Sequence, residues 1–563
     1  MNSRDSYNCI LISDFNIDNM AGYLRSITEV PKINVVVAPY GQVMQFLSGD
    51  TQEYRQNKYD LAIVWTQPHK IIASFNDMIN FKTVSVDDVL GEVDDFASHL
   101  LGICDKVKYV FVASWVLPIY NRGLGMLDMK FGIGTANTLM RMNVRLSENI
   151  CGASNIYLLD AWRWAGIAGK NMFNPRSWYM GKIPYGNEVF REAAVDISSF
   201  LGVLSGSTKK IIILDLDDTL WGGIVGDVGW ESISLGGHNH IGEAYVDFQS
   251  ALKSLTNRGV LLAVVSKNDE SVALEAMEKH PEMVLKPEDL AGWKINWKDK
   301  AQNIVDLMAD LNLGVESAVF IDDSPFERGR VRDVLREVYT PEWPEDKRFY
   351  TQTLLSLRCF DTPYISVEDV ERSKMYVSER KRKAVKKKIV SQEEWLRSCD
   401  IKVTVDEING SSIKRTVQLI NKTNQMNLTT RRMSEDVLAE WLEGDNERKM
   451  WTFRVSDRFG DSGLCGIVSI ESAGREGRIS DFVLSCRVMG RKIEETMLYT
   501  VLNYAHSLGL KEIYAKYIST PRNKPCLEFW EKSGFTFNEK DNIFIWNIGK
   551  KFVPPDFITI ETI

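Results

Sequence analysis

The chain has 563 residues, 44% of them hydrophobic and 26% charged, with a formal net charge of −8, enough for roughly three to four globular domains at about 150 residues each. The acidic balance gives no reason to expect nucleic acid as the main partner, and no apolar run approaches the roughly 20 residues that span a bilayer. The opening "MNSRDSYNCILIS" is too poor in apolar residues for a secretory signal, and eight cysteines without a C-x-x-C pair argue against zinc ribbons and a disulfide framework, so a reducing, cytoplasmic setting is expected.

In chain order, residues 1–200 alternate apolar runs with helical stretches: "NCILIS", "INVVVAP", "YDLAIVW", "VKYVFVAS" and "NIYLLD" predict strands of a parallel sheet with helices on both faces. Residues 205–345 repeat the pattern with "KKIIILDLD", "GVLLAVVSK" and "ESAVFIDD". Each of these strands runs into polar residues at its carboxyl end, which is where open α/β sheets bind ligands. Residues 346–400 predict a charged helical linker; its basic run from Arg380 to Lys388 is either a solvated helix face or a surface that steers an acidic partner. Residues 401–550 mix strands such as "GLCGIVSIE" with the helix "KIEETMLYTVLNYAHSLG" and predict a further α/β domain, with 551–563 as a tail.

"IIILDLDDTLWGG", from Ile211 to Gly223, drives an apolar strand into three aspartates. Carboxylates crowded in this way repel one another unless a cation or a proton sits between them. Asp215 and Asp217, two apart, point to one side of an extended chain. Asp322 and Asp323 end another strand, and an oxygen-only ligand set of this kind suits Mg²⁺. Ser266, Lys267 and Lys300 would donate to phosphate oxygens. The simpler alternative for D-x-D alone is a solvated turn.

An acid, a second acid two residues on, a hydroxyl, a lysine and a late acidic pair together resemble the haloacid dehalogenase (HAD) superfamily, whose D-x-D-x-[TV] motif matches Asp215, Asp217 and Thr219. The resemblance implies a Rossmann-like core in which Asp215 is the nucleophile and Asp217 the general acid and base. It also implies Mg²⁺ on Asp215, the Asp217 carbonyl and Asp322, with Asp323 orienting a ligand from behind. Thr219 and Asn268 carry either supporting or turn-holding roles. Too little chain separates the motifs for an inserted cap domain.

"LDLDDTLWGGIVGDVG", "SKND", "NWKDKAQNI" and "FIDDSPFERGRV", followed by "INKTNQMNLTTRR", "DRFGDSGLCGIV" and "LSCRVMGRKIEE", resemble the FkbH-like branch of that superfamily (subfamily IIIC) over about 205–550. Membership implies removal of phosphate from 1,3-bisphosphoglycerate and loading of glyceryl onto an acyl carrier protein thiol, in polyketide or surface-polysaccharide biosynthesis. The family commonly has a cysteine just before "SKN"; Val265 stands there instead. A stand-alone phosphatase and a non-catalytic carrier-binding scaffold stay open as alternatives.

The third block resembles the GNAT fold of N-acetyltransferases. "RVMGRKI" partly matches its R-x-x-G-x-[GA] loop, which implies Arg487, Gly490 and Arg491 as binders of pyrophosphate or of a carrier's pantetheine arm. Lys492 departs from the small residue usual at its place. Cys486 precedes the loop, where a helix amino terminus and Arg487 would favour a nucleophilic thiolate, or it is a small packing residue. The first block resembles an SGNH-hydrolase or flavodoxin-like sheet through Ser13, Asp14, Asn16 and Asp160. It is read as holding no histidine to complete a Ser-His-Asp triad, and hence as a degenerate binding or covering domain.

Overall fold

In the computed structural model the described residues are 6–28, 31–48, 58–118, 120–237, 239–363, 365, 371–372, 374–380, 392–444 and 448–562. The chain divides into two compact units, residues 2–205 and residues 206–563. The protein is a multidomain α/β molecule with two wholly parallel sheets and a third, mixed one. Among the described residues no helix is long and apolar enough to cross a membrane.

The first unit is built on β1 (Ser6–Ser13), β2 (Lys32–Val37), β3 (Leu61–Trp65), β4 (Tyr109–Ala113) and β5 (Ile156–Leu159), all parallel in the order β2-β1-β3-β4-β5. Alternate residues of the central strands feed two separate apolar layers. Leu11, Leu61 and Ile63 pack with Trp164 and Phe190, whereas Ile10, Ala62 and Val64 pack with Phe75 and Phe96. A sheet covered by helices on both faces needs such unbroken apolar strands.

The second unit opens with β6 (Ile211–Leu214), β7 (Leu261–Ser266), β8 (Gly292–Ile295) and β9 (Ala318–Ile321), parallel in the order β8-β7-β6-β9. Ile212 and Leu214 face Phe248 and Leu252 of the helix His240–Thr256, and Ile211 and Ile213 face Ile304, Leu307 and Met308 of the helix Lys300–Asp310. β8 is a strand that the sequence pattern concealed: on this edge strand Trp293 and Lys294 are only half-buried, so no continuous apolar run marks it. Of the segment read as a charged linker, the helix Tyr350–Leu355, residues 371–372 and 374–380 and the helix Gln392–Arg397 are helical. Beyond Arg380, the basic run lies outside the described residues. Arg380 itself donates to the carbonyls of Pro287 and Leu290 and stacks over Trp293.

The same unit carries the mixed sheet, formed by β10 (Lys402–Glu407), β11 (Met426–Asn427), β12 (Arg448–Asp457), β13 (Gly460–Ala473), β14 (Glu476–Leu484), β15 (Glu512–Lys516), β16 (Thr536–Asn538), β17 (Ile543–Asn547) and β18 (Thr559–Thr562). The order is β16-β17-β15-β14-β13-β12-β10-β18, antiparallel except for the β14/β15 and β10/β18 pairs. β14 meets β13 along one edge. On its other edge it pairs with β15 through Glu476–Ile479 and with β11 through Val483 and Leu484. The chain leaves β14 into a short turn, Cys486–Val488, and enters the helix Ile493–Ser507.

Candidate active site

β6 lies between β7 and β9, so the carboxyl ends of all three strands open on one edge. Leu214 pairs with Ile321, and the Asp215 N–H donates to the Ile321 carbonyl at 3.0 Å. That register sets Asp215 and Asp322 side by side. The helix Lys300–Asp310 starts with Lys300, after Asp299 caps its first turn by accepting from Gln302 N. The Lys300 Nζ reaches 3.0 Å from Asp215 Oδ1 and 2.6 Å from Asp322 Oδ2, and its side chain is only 4% exposed. Burial by itself lowers a lysine pKa; here the two carboxylates outweigh it and hold Lys300 above its ordinary value.

Asp215, Asp322 and Asp323 each place a carboxylate oxygen within 4.8 Å of the others. One buried ammonium does not balance three carboxylates, and Lys347 adds only a contact at 3.8 Å from Asp323. Burial, then repulsion from Asp215, pushes the Asp322 carboxyl up to about 7. Hard oxygen donors with excess negative charge fit a divalent cation such as Mg²⁺. Asp323, expected to act from behind, stands in the cluster itself. Its N–H donates to Thr219 Oγ1 at 3.1 Å, which gives the fully buried Thr219 a bracing role.

Asp217 is held differently. Its Oδ1 accepts from Trp221 Nε1 at 2.8 Å and from Val225 N at 3.0 Å, and its Oδ2 accepts from Asn268 Nδ2 at 2.8 Å. Burial raises its pKa against those donors, a direction that favours a carried proton. Asn268 thus positions Asp217. Asp218 takes a left-handed φ of 54°, and its carbonyl accepts from Tyr245, Lys347 and Tyr350, a hub that no motif announced. Ser266 ends β7, buried, with no hydrogen-bond partner for its hydroxyl among the described residues. Lys267, expected to meet phosphate, is instead ion-paired to Glu327 at 2.6 Å.

The loop after β14 directs its donors inward. The Gly490 N–H donates to Glu494 Oε1 at 3.0 Å. Arg491 is buried between Glu379 at 2.6 Å and Asp457 at 3.1 Å. Arg487 donates to Ser485 Oγ and Met375 Sδ. Cys486 lies 3.5 Å from the Tyr376 hydroxyl and opens the short turn Cys486–Val488, and the helix after the loop begins at Ile493. Cys465 and Cys526 are buried.

In the first unit the candidate residues serve the backbone. Ser13 Oγ accepts from Phe15 N, Asn16 Oδ1 accepts from Asp18 N, and Asp160 caps the helix Ala161–Ala168 through Trp162 N and Arg163 N. Both Asp14 oxygens accept from Gln67 N, and burial pushes this carboxyl up to about 7. Two histidines correct the expectation that this block has none. His69 follows β3, its pKa lowered to about 4 by burial; His99 Nδ1 lies 2.8 Å from the Asp95 carbonyl.

No family model and no curated protein matches the chain. Among solved structures, the N-terminal part of the protein BF1531 from Bacteroides fragilis, described as containing a phosphatase domain and complexed with Mg, is 30% identical. That match covers 64% of this chain and 95% of the other, with a TM-score of 0.58. This chain therefore belongs to the same family as the phosphatase-domain part of BF1531. Spermidine N-acetyltransferase from Vibrio cholerae, solved with CoA and spermine, is 18% identical, over 26% of this chain and 96% of its own, with a TM-score of 0.22.

Proposed function

We propose that this protein is a Mg²⁺-dependent, phosphate-removing enzyme with Asp215 as nucleophile. It acts on a phosphorylated three-carbon acyl compound and delivers the glyceryl or related acyl group to the thiol of an acyl carrier protein. The observation that carries the phosphoryl chemistry is the clustering of the Asp215, Asp322 and Asp323 carboxylates, the first two ion-paired to buried Lys300. The acyl-transfer part rests on the motifs between 205 and 550.

Asp215 attacks the phosphorus of the hydroxyl-linked phosphate, and the bond from phosphorus to that hydroxyl oxygen breaks as the aspartyl-phosphate forms. Asp217, fixed by Trp221, Val225 and Asn268, gives that oxygen a proton and then takes one from the attacking water. The second step breaks the bond between Asp215 and phosphorus and releases phosphate. The acyl phosphate stays intact for transfer: the carrier thiolate attacks the acyl carbon, the carbon–sulfur bond forms, and the bond from that carbon to the anhydride oxygen breaks to release the second phosphate. Lys300, ion-paired to Asp215 at 3.0 Å, aims its carboxylate. Asp215, the Asp217 carbonyl and Asp322 would hold Mg²⁺, with Asp323 in reach; that the BF1531 structure is described as complexed with Mg supports a magnesium requirement. When bound, the metal neutralises phosphate charge.

A second reading, a phosphatase without acyl transfer, is favoured by the inward-turned donors of Gly490 and Arg491. Intact mass of enzyme and carrier after incubation with 1,3-bisphosphoglycerate and Mg²⁺ separates the two: a carrier gaining one acyl group supports the first, phosphate release with no mass gain the second. Asp215→Asn should lower phosphate release by several orders of magnitude. Retained release by that variant would defeat both.

A further inference from the structure

Within residues 206–563, a cavity of about 80 Å³ adjoins a groove of about 660 Å³, and the two share Tyr376, Cys486 and Arg487 along their walls. Lys210, Arg372, Arg415, Lys422 and Arg487 line the small cavity, and among the described residues Glu316 is its only carboxylate. That carboxylate faces Arg522 at 3.9 Å.

The Lys210 ammonium forms no hydrogen bond or ion pair among the described residues. Burial lowers its pKa, partly offset by the nearby Cys486, and Arg372 works in the same direction as burial. The side-chain bonds of Arg487 go to Ser485 and Met375, both neutral. A desolvated cation facing further cations is costly unless an anion joins it. A cavity of this size holds one tetrahedral oxyanion and little else, and several cations around it suit a dianion better than a carboxylate. The adjoining groove leaves space for an organic remainder.

We infer that this cavity binds the phosphate group of a small organic phosphate, with Lys210 and Arg487 facing the oxyanion and the organic part lying in the groove beside Tyr376 and Cys486. This site is separate from the aspartate cluster, and its fate does not depend on the chemistry proposed there.

Cys486, on the shared wall, serves as a reporter. The full-length protein is treated with iodoacetate or with neutral iodoacetamide, and alkylation of Cys486 is followed by peptide mass spectrometry, with exposed Cys151 as internal reference. A cation-lined pocket should favour the anionic reagent at Cys486 over Cys151 by roughly tenfold. Phenyl phosphate should abolish that preference at lower concentration than orthophosphate does; equal potency would assign the pocket to free phosphate, overturning the organic-phosphate assignment. Lys210→Gln should lose the preference while iodoacetamide still reacts, and the competition in the wild-type protein stands without any variant. The inference is overturned if Cys486 shows the same reagent ratio as Cys151, if neither reagent reaches it, or if sodium chloride at matched ionic strength protects as well as the phosphates.

Discussion

Glu494→Gln should stabilise this protein, and should do so only above mildly acidic pH. Glu494 lies in the first turn of the helix Ile493–Ser507, is 5% exposed, and accepts the Gly490 N–H at 3.0 Å. Burial pushes its carboxyl up from 4.5 to about 7 against the opposing pull of that amide. A folded-state pKa raised above the unfolded one means that the native state holds the proton longer. The contribution of this group to stability is therefore full below about pH 4.5, declines as pH rises, and levels off above about 7. At roughly 1.4 kcal/mol per pH unit, the interval corresponds to about 3 kcal/mol lost at pH 8. Glutamine keeps an oxygen for Gly490 and carries no charge. Urea unfolding of wild type and variant, followed by tryptophan fluorescence between pH 5 and 8.5, should give a stability difference that grows with pH and then flattens. A difference independent of pH, or a variant less stable at pH 8, would refute the reasoning.

Removing the cation in Lys300→Met leaves Asp215 and Asp322 buried and uncompensated. The metal-free protein should lose about 3–5 kcal/mol, and thermal unfolding with and without Mg²⁺ should show the metal restoring part of it. Asn268→Ala frees one oxygen of Asp217 and should lower kcat roughly tenfold to a hundredfold with a smaller change in KM, a part of the roughly 10²–10⁴-fold that proton transfer by a positioned group contributes; steady-state phosphate release measures it. Cys486→Ser should leave phosphate release within about twofold of wild type, because surface and tolerant substitutions cost little and no contact joins Cys486 to Asp215 or Lys300; the same assay decides.

The apolar runs at Ile211–Leu214 and Ala318–Ile321 announced buried parallel strands, and the acids that follow them announced a charged strand edge. Strand period and charge crowding are properties of neighbours in sequence, so Asp215, Asp217 and Asp322 were legible before any fold. The edge strand β8 was not legible, because Trp293 and Lys294 are half-buried and break the apolar run. Partners distant in sequence were equally hidden. Lys347 comes to Asp323, Glu327 takes up Lys267, and Glu379 takes up Arg491. In the first unit, Asp160 became a helix cap rather than part of a triad. A side chain's residue type states what it can bind, but which competing partner reaches it first is decided by packing. Lys300 shows both halves: the sequence offers a lysine to donate to phosphate, and only the register of β6 against β9 together with the start of the helix Lys300–Asp310 brings the two carboxylates to 3.0 and 2.6 Å from its nitrogen.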